Sequence, residues 1–249
     1  MGKIHVLLKK EDLNRKKLEG KVVVVFDILL ATSTITAVLE HGAKEVIPVL
    51  NGEEAKRVAS NGPENCILVG EYQGLTLEGF HSPSPKSLIE QVNEKTVILS
   101  TTNGTVAMKN AHAANEVYAA SLLNAVSVAK EIFQYYDNKT ILLVCSGSSG
   151  EFNIEDFYGA GYFIECIKKN SSENLEWDLT DAAMAAHQFY LGKVNRAEEV
   201  LTTSRVGKKL SEIGLYHDIC YVAEKDVCTV VPYLKDGTYV IHKNVIPKI

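Results

Sequence analysis

Four short apolar runs in this sequence end in polar residues of the kinds that bind metal ions. VVVVF is followed by Asp27, CILVG by Glu71, TVILS by TTNGT, and TILLVCSG by a loop that leads to Glu155 and Asp156. Carboxylate oxygens, with amide and hydroxyl oxygens beside them, are the ligands that magnesium prefers. We therefore predict a Mg²⁺ site with Asp27, Glu71, Glu155 and Asp156 as candidate ligands. The candidate catalytic residues are Asp27, Glu71 and Asp156.

The stretches STTNGT and CSGSSG each lead toward a predicted helix. Free backbone N–H groups and the positive end of the helix dipole favour an anion at such a position. A cation site beside an anion site predicts the binding of a phosphate group. The candidate phosphate-binding residues are Thr102, Asn103, Gly104, Ser148 and Ser149.

Each of these residues also has a purely structural interpretation. Asp27 could cap the helix that follows it, and Asn103 with Gly104 forms a dipeptide that is common in turns. Glu155 and Asp156 lie in a predicted first helical turn, where acidic residues stabilise the helix dipole. Residues 148–149 could be an ordinary loop. One such strand end would be unremarkable, whereas four in one chain favour a functional site.

Several hydrolase schemes are excluded by single residues. The loop after Cys145 has the length of a cysteine-phosphatase loop, but Glu151 stands where that loop needs arginine, and a carboxylate there raises the thiol pKa. Asp27 is followed by Ile28 and Leu29, so the D-x-D motif of aspartyl-phosphate phosphatases is absent. The P-loop, G-x-S-x-G and H-E-x-x-H patterns are absent as well.

The elements that must position these residues alternate along the chain. Runs rich in β-branched residues predict strands, and their continuous hydrophobicity is typical of strands buried on both faces. The predicted strands are IHVLL, VVVVF, EVIPVL, CILVG, TVILS, EVYAAS and TILLVCSG. Helices are predicted near 33–40, 53–60, 86–92, 105–114 and 122–135. This alternation predicts a layered α/β fold with a mostly parallel or mixed sheet flanked by helices.

The last third of the chain has a different pattern. Helices are predicted at 155–168, 180–191 and 197–213, and the short runs DICYVA, TVVPYL and TYVIH follow them. This part is therefore helix-rich. The polar connector NSSENLEWD, at 170–178, is short. We interpret 1–249 as a single α/β domain, which could have two lobes at about 1–170 and 171–249.

Composition narrows the class of protein. The 249 residues carry a formal net charge of −5, which disfavours nucleic-acid binding. Five widely spaced cysteines without a C-x-x-C pair predict reduced thiols rather than disulfides or zinc. The N-terminal stretch is charged and lacks the apolar region of a secretory signal, and no run is long enough to cross a membrane. These features predict a cytoplasmic protein that does not bind membranes.

The motifs resemble those of a known family, the magnesium-dependent 2-phosphosulfolactate phosphatases of coenzyme M biosynthesis. The resemblance extends over most of the chain and is carried by FDILLATSTITAVLEHGAKEVIPVL, GEYQGLTLEGF, STTNGT, GEFNIEDFYGAG, LTDAAMAA and DVCTVVPYLKDG. It implies an α/β fold, Mg²⁺ as cofactor and the hydrolysis of 2-phospho-3-sulfolactate to 3-sulfolactate and phosphate. The polar motif positions here are Asp27, Glu71, Thr102, Asn103, Gly104, Glu155 and Asp156.

The sequence departs from this family at three basic positions. The family typically has arginine where this chain has Leu30, Tyr72 and Val106. Guanidinium groups bind anions in a bidentate manner, so their replacement predicts weak activity on a trianionic substrate. Lys86 and Arg205 are candidates to compensate.

Two further interpretations therefore remain beside the family activity. One is a phosphatase for a less anionic substrate, and the other is a non-catalytic descendant that binds a ligand or a protein. In either enzymatic case the expected partner is a small phosphorylated organic acid, and a homo-oligomer is an open possibility.

Overall fold

The computed structural model describes residues 2–170 and 176–243 of the chain. Eleven strands and ten α-helices are found in these two ranges. The strands are β1 Lys3–Leu7, β2 Val22–Phe26, β3 Glu45–Val49, β4 Cys66–Tyr72, β5 Leu75–Thr76, β6 Thr96–Ser100, β7 Glu116–Ala120, β8 Thr140–Cys145, β9 Asp178–Leu179, β10 Pro232–Lys235 and β11 Tyr239–His242. The helices are α1 Ala31–Glu40, α2 Gly52–Asn61, α3 Pro85–Leu88, α4 Gly104–Asn110, α5 Ala125–Tyr136, α6 Ile154–Asn170, α7 Asp181–Leu191, α8 Ala197–Thr203, α9 Arg205–Glu212 and α10 Tyr216–Val222.

The strands form one mixed sheet flanked by helices, as the alternating pattern predicts. Their order is β5-β4-β6-β3-β11-β10-β7-β2-β8-β1-β9. Strands β4, β6 and β3 make one parallel block, and β7, β2, β8, β1 and β9 make a second. The hairpin of β10 and β11 lies between the blocks and pairs antiparallel with both. Residues from the last part of the chain therefore complete the middle of the sheet.

The apolar runs became strands because they are buried on both faces. All five residues of β2 are fully buried, and each such side chain contributes roughly 1.5–3 kcal/mol of transfer free energy. Val23 and Val25 share a core cluster with Val97 and Leu99 of β6. Phe26 contributes to the opposite cluster, beneath α6. The two blocks are thus joined by a common core as well as by the hairpin.

Three elements differ from the sequence prediction. The helix expected over 197–213 is two helices, because Ser204 caps α9 by accepting a hydrogen bond from the N–H of Gly207 at 2.9 Å. The helix expected at 86–92 is only Pro85–Leu88. The run DICYVA lies largely in α10, where Ile219 and Val222 are buried on one face. Part of the connector at 170–178 falls outside the described residues.

None of the helices in the two described ranges is long and apolar enough to span a bilayer.

Candidate active site

The loops that follow the buried strands meet at one cleft with a volume of about 560 Å³. Most of the residues singled out from the sequence contribute to its lining. They are Asp27, Glu71, Thr102, Asn103, Ser148 and Ser149. Gly104, Glu155 and Asp156 lie beneath this lining and are buried. The fold thus brings together residues that are up to 129 positions apart, counted from Asp27 to Asp156.

Asp27 forms the floor of the cleft and is only 6% exposed. Its carboxylate accepts hydrogen bonds from the N–H groups of Ala31 and Gly104. A Cβ atom at position 104 would lie 2.7 Å from Asp27 Oδ2, so only glycine allows this approach. Burial, and then the charge of Glu71, raise the pKa of Asp27 to about 7. Asp27 thus serves the start of α1, as its structural interpretation proposed, and it also lines the cleft.

Glu71 joins two turns at the side of the cleft. Its Oε1 atom accepts a hydrogen bond from the N–H of Thr102 at 2.7 Å. Its Oε2 atom accepts from the N–H of Gly74 at 2.6 Å and from Thr102 Oγ1 at 3.2 Å. The turn after β4 and the loop after β6 are therefore held together by one carboxylate.

These contacts limit the prediction that the TTNG loop offers its amides to an anion, because three of its four N–H groups have partners within the protein. The N–H groups of Thr102 and Gly104 donate to Glu71 and Asp27, and that of Thr101 donates to Thr105 Oγ1 at 3.2 Å. Sequence pattern identified a loop rich in donors, but it could not show that the protein's own carboxylates take these donors. The loop holds the carboxylates in place and does not form an anion cradle from these amides.

Asp156 connects the loops that follow β2 and β8. Its Oδ1 atom accepts a hydrogen bond from the N–H of Ile28 at 2.9 Å, and its Oδ2 atom accepts from the N–H of Gly147 at 3.1 Å. Burial and the charges of Asp27 and Glu155 raise its pKa well above the ordinary value. Because both carboxylate oxygens serve backbone amides, Asp156 acts as a positioning residue beneath the cleft.

Glu155 is a buried carboxylate with an incomplete set of partners, as is Glu131 in α5, whose Oε2 atom also lacks one. Glu155 is 1% exposed, and its Oε1 atom has no hydrogen-bond partner. Burial raises its pKa, while the Ser204 hydroxyl and the charge of Arg205 oppose that shift. A buried carboxylate oxygen without a partner is costly, and beside the cleft this oxygen has room in its bonding for one further group.

The basic residues around the cleft come from elements that sequence motifs did not indicate. Helix α9 supplies Arg205 and Lys209, and both line the cleft. Lys10 lies beside it and donates to Asn103 Oδ1 at 2.9 Å. Lys86 is not part of the lining; its backbone N–H donates to Asp218 instead. Of the two basic candidates named from the sequence, Arg205 therefore lines the cleft and Lys86 does not, whereas Lys209 was not a candidate because basic residues on an amphipathic helix are too common a pattern.

The buried thiol at the end of β8 takes no part in this arrangement. Cys145 is fully buried, and burial followed by the charges of Asp156 and Glu155 raises its pKa well above the ordinary value. Such a thiol stays protonated and is a poor nucleophile. Chemistry at this site therefore depends on carboxylates.

The donor set fits a divalent cation in charge and atom type. The charge of Glu155 raises the pKa values of both Asp27 and Asp156, the charge of Asp27 raises that of Asp156, and in the described ranges none of the three forms an ion pair. Glu155 in addition leaves one oxygen unpartnered. The same residues do not form a finished metal cluster: among the described residues, no three His, Cys, Asp or Glu side chains converge on one point. Asp27 and Glu155 are the two with capacity for a cation.

Comparison with known proteins identifies the family. The sequence profile described as 2-phosphosulpholactate phosphatase matches residues 7–237. A protein of Clostridium tetani named as a probable 2-phosphosulfolactate phosphatase is 36% identical over 94% of this chain and 98% of its own length. The chain belongs to the 2-phosphosulfolactate phosphatase family.

Two further relatives carry the same name. The Clostridium novyi protein is 37% identical over 92% of this chain and 96% of its own length. The Clostridium perfringens protein is 39% identical over 94% of each chain. The matched family region spans β2 to β10, so it includes every loop that lines the cleft as well as α9. The resemblance drawn from the sequence motifs is confirmed.

Proposed function

We propose that this protein is a phosphatase that hydrolyses 2-phosphosulfolactate to 3-sulfolactate and phosphate. The observation that carries the proposal is the family match over 7–237, because the family and the relatives are named for that reaction. The geometry supports it, because Asp27 and Glu71 line one cleft of a size suited to a small organic acid, and Glu155 and Asp156 lie buried beneath this lining.

We further propose that Mg²⁺ binds between Asp27 and Glu155. A phosphate ester that enters the cleft approaches Asp27 and Glu71 in its lining, and carboxylates in their ionised form repel it unless a cation is bound. The unpartnered Oε1 atom of Glu155 and the raised pKa of Asp27 support this position. A magnesium ion bound there would polarise the phosphoryl group and stabilise the charge that develops on it.

The other carboxylates then have distinct roles. Glu71 lines the cleft, and its Oε1 atom accepts only one hydrogen bond, so it retains a lone pair for the proton of an attacking water. The ester oxygen leaves as the hydroxyl group of sulfolactate. Asp156 holds the backbone of Ile28 and Gly147, which fixes the two loops beside Asp27.

The test is phosphate release from 2-phosphosulfolactate with Mg²⁺ and with EDTA. We expect release by the wild type with Mg²⁺, and a loss of about 10³-fold or more in Asp27→Asn. Asp181→Asn is the matched control, because Asp181 is exposed at the start of α7 and does not line the cleft. No release by the wild type would contradict the proposed activity, whereas equal release in EDTA would contradict only the metal.

A further inference from the structure

Helix α9 directs two basic side chains at the cleft from positions 205 and 209. Residues four apart lie on the same face of a helix, with about 5–6 Å between their Cβ atoms. Val206, Leu210 and Ile213 also line the cleft, so this whole face of α9 is a wall of the site. Lys208, on the same helix, is exposed and does not belong to the lining.

The two side chains reach opposite parts of the cleft. An Arg205 guanidinium nitrogen donates to Ser148 Oγ at 2.7 Å and to the Ser148 carbonyl at 3.2 Å. Lys209 Nζ donates to the Gln73 carbonyl, beside Gly74. A Cβ atom on Gly74, whose φ is +85°, would lie 2.9 Å from Lys209 Cε, so the glycine makes room for this lysine. One cation thus lies near the loop after β8 and the other near the turn after β4.

Both cations are bonded only to neutral oxygens. Within the described ranges, neither Arg205 nor Lys209 has a carboxylate oxygen within 4 Å, whereas Arg196, Lys193 and Lys243 do. Hydrogen bonds to an ionised acceptor are roughly twice as strong as those to a neutral one. An anion that enters the cleft can therefore replace Ser148 and Gln73 as the partner of these side chains with a net gain.

We propose that Arg205 and Lys209 are specificity-determining residues that bind the two anionic groups of the substrate other than its phosphate. This inference rests on the proposed function, which places the phosphoryl group at Asp27. Two separate cations at the wall of one cleft suit a small acid that carries two negative groups besides its phosphate, such as a carboxylate and a sulfonate. It also explains how Leu30 can line the cleft of a protein that binds a trianion: the positive charge comes from α9 instead of the loop after β2.

The first experiment compares kinetics on two substrates. We expect Arg205→Gln and Lys209→Gln each to raise the KM for 2-phosphosulfolactate about ten- to hundredfold, the usual effect of losing a charge-assisted hydrogen bond. The kcat/KM for p-nitrophenyl phosphate, which has no second anionic group, should change less than about threefold. Arg205→Lys should restore part of the loss. Lys208→Gln, the matched control, should leave both substrates unchanged.

Two kinetic outcomes would overturn the inference. One is an equal loss on both substrates, which would mean that these residues bind the phosphate. The other is an increase in KM for 2-phosphosulfolactate in Lys208→Gln as large as in Lys209→Gln. That result would mean that the total positive charge of α9 matters, rather than contacts made by Lys209. Equal melting temperatures of the four variants show that each protein is folded.

The second experiment needs no turnover. Calorimetry with 3-sulfolactate as the probe should show binding to the wild type and to Lys208→Gln, and a Kd about tenfold or more weaker in Arg205→Gln and Lys209→Gln. L-lactate, which lacks the sulfonate, should bind more weakly and lose less in these variants. If the wild type binds 3-sulfolactate more tightly than these variants but releases no phosphate, the proposed activity is contradicted and the role of Arg205 and Lys209 in binding anions is supported. If the wild type and all variants bind 3-sulfolactate equally, that role is contradicted, whatever the activity.

Discussion

Two groups of buried carboxylates lie near opposite ends of neighbouring parallel strands and are balanced in different ways. Glu131 is 2% exposed, and its Oε1 atom lies 3.1 Å from Lys243 Nζ, near Glu116 at the start of β7, while its Oε2 atom has no hydrogen-bond partner. The Lys243 ammonium also contacts the rings of Tyr118 and Tyr136, with its nitrogen 5.1 and 5.5 Å from their centroids. At the other end, Asp27 follows β2, and none of the basic side chains in the described ranges forms an ion pair with it.

The difference separates charge that stabilises the fold from charge that is held ready for a ligand. Burial lowers the pKa of Lys243, but its bonds with Tyr136 and Glu131 raise it by more, so the ammonium ion stays charged. At the cleft, burial and the charge of Glu71 raise the pKa of Asp27, so the ionised carboxylate lowers the stability of the folded protein. A protein retains such a cost where a cation or substrate removes it.

The comparison predicts the largest loss of activity when Asp27 is replaced by its neutral isostere, asparagine. Asp27→Asn should lower kcat for phosphate release by about 10³-fold, because a ligand for the proposed cation is lost. The same variant should be as stable as the wild type or more so at pH 8, since a buried charge is removed. Steady-state kinetics and urea unfolding measure the two effects. A variant that is both inactive and strongly destabilised would show that Asp27 is a structural residue like Glu131.

The pH dependence of stability should differ between the two regions. In EDTA, Asp27 has a pKa of about 7 in the folded protein against 3.8 ordinarily. Its neutral form therefore contributes stability that is complete below about pH 4 and is lost as the pH rises through 7. Glu155 and Asp156, which face Asp27 from α6, shift in the same direction, and Arg205 on α9 opposes the shift of Glu155.

Between pH 5 and 8 the free energy of unfolding should thus fall by roughly 2–4 kcal/mol. Asp27→Asn should reduce this decrease, and Mg²⁺ should do the same in the wild type by stabilising the ionised form. Urea titrations at several pH values would measure it. Stability that rises over this range in EDTA would contradict the electrostatic description of the cleft.

The smallest effect is expected at the paired cluster. Lys243→Met leaves Glu131 buried without its cation, and because Lys243 is 24% exposed we expect a loss of about 2 kcal/mol, less than for a fully buried pair. The melting temperature should then fall by about 4–8 °C. The kcat at 20 °C should stay within about twofold of the wild type. A reduced kcat with an unchanged melting temperature would erase the distinction between the two regions.

Much of the fold follows from local patterns. The run VVVVF predicted β2 because five consecutive apolar residues indicate a strand buried on both faces, and the apolar run in TVILS predicted β6 for the same reason. Sequence could not show the position of the hairpin at Pro232–Lys235 and Tyr239–His242, since strand order depends on contacts between distant segments. It could not show the break at Ser204 either, because serine occurs both inside helices and at their caps.

The site was predicted to a different extent. Asp27 and Glu71 were identifiable because a carboxylate after a buried strand is unusual, and they do line one cleft. The use of the Thr102 amide was not identifiable, because a donor in a loop has no sequence signature for its acceptor. Arg205 was one of two basic candidates, with Lys86, and Lys209 was not among them. Their importance depends on how α9 packs across the cleft, which is a tertiary property.

The hairpin in the middle of the sheet has a consequence for the timing of biosynthesis. The ribosome releases both parallel blocks, with Asp27 and Glu71 already in place along the chain, well before it reaches Pro232. Until then β3 and β7 have no strand between them, and their exposed edges can pair only with each other or with neighbouring chains. Assembly of the whole sheet therefore waits for the last segment of the polypeptide. A nascent or truncated chain that stops short of Pro232 contains every residue that lines the cleft, but it lacks the hairpin that joins the two parallel blocks.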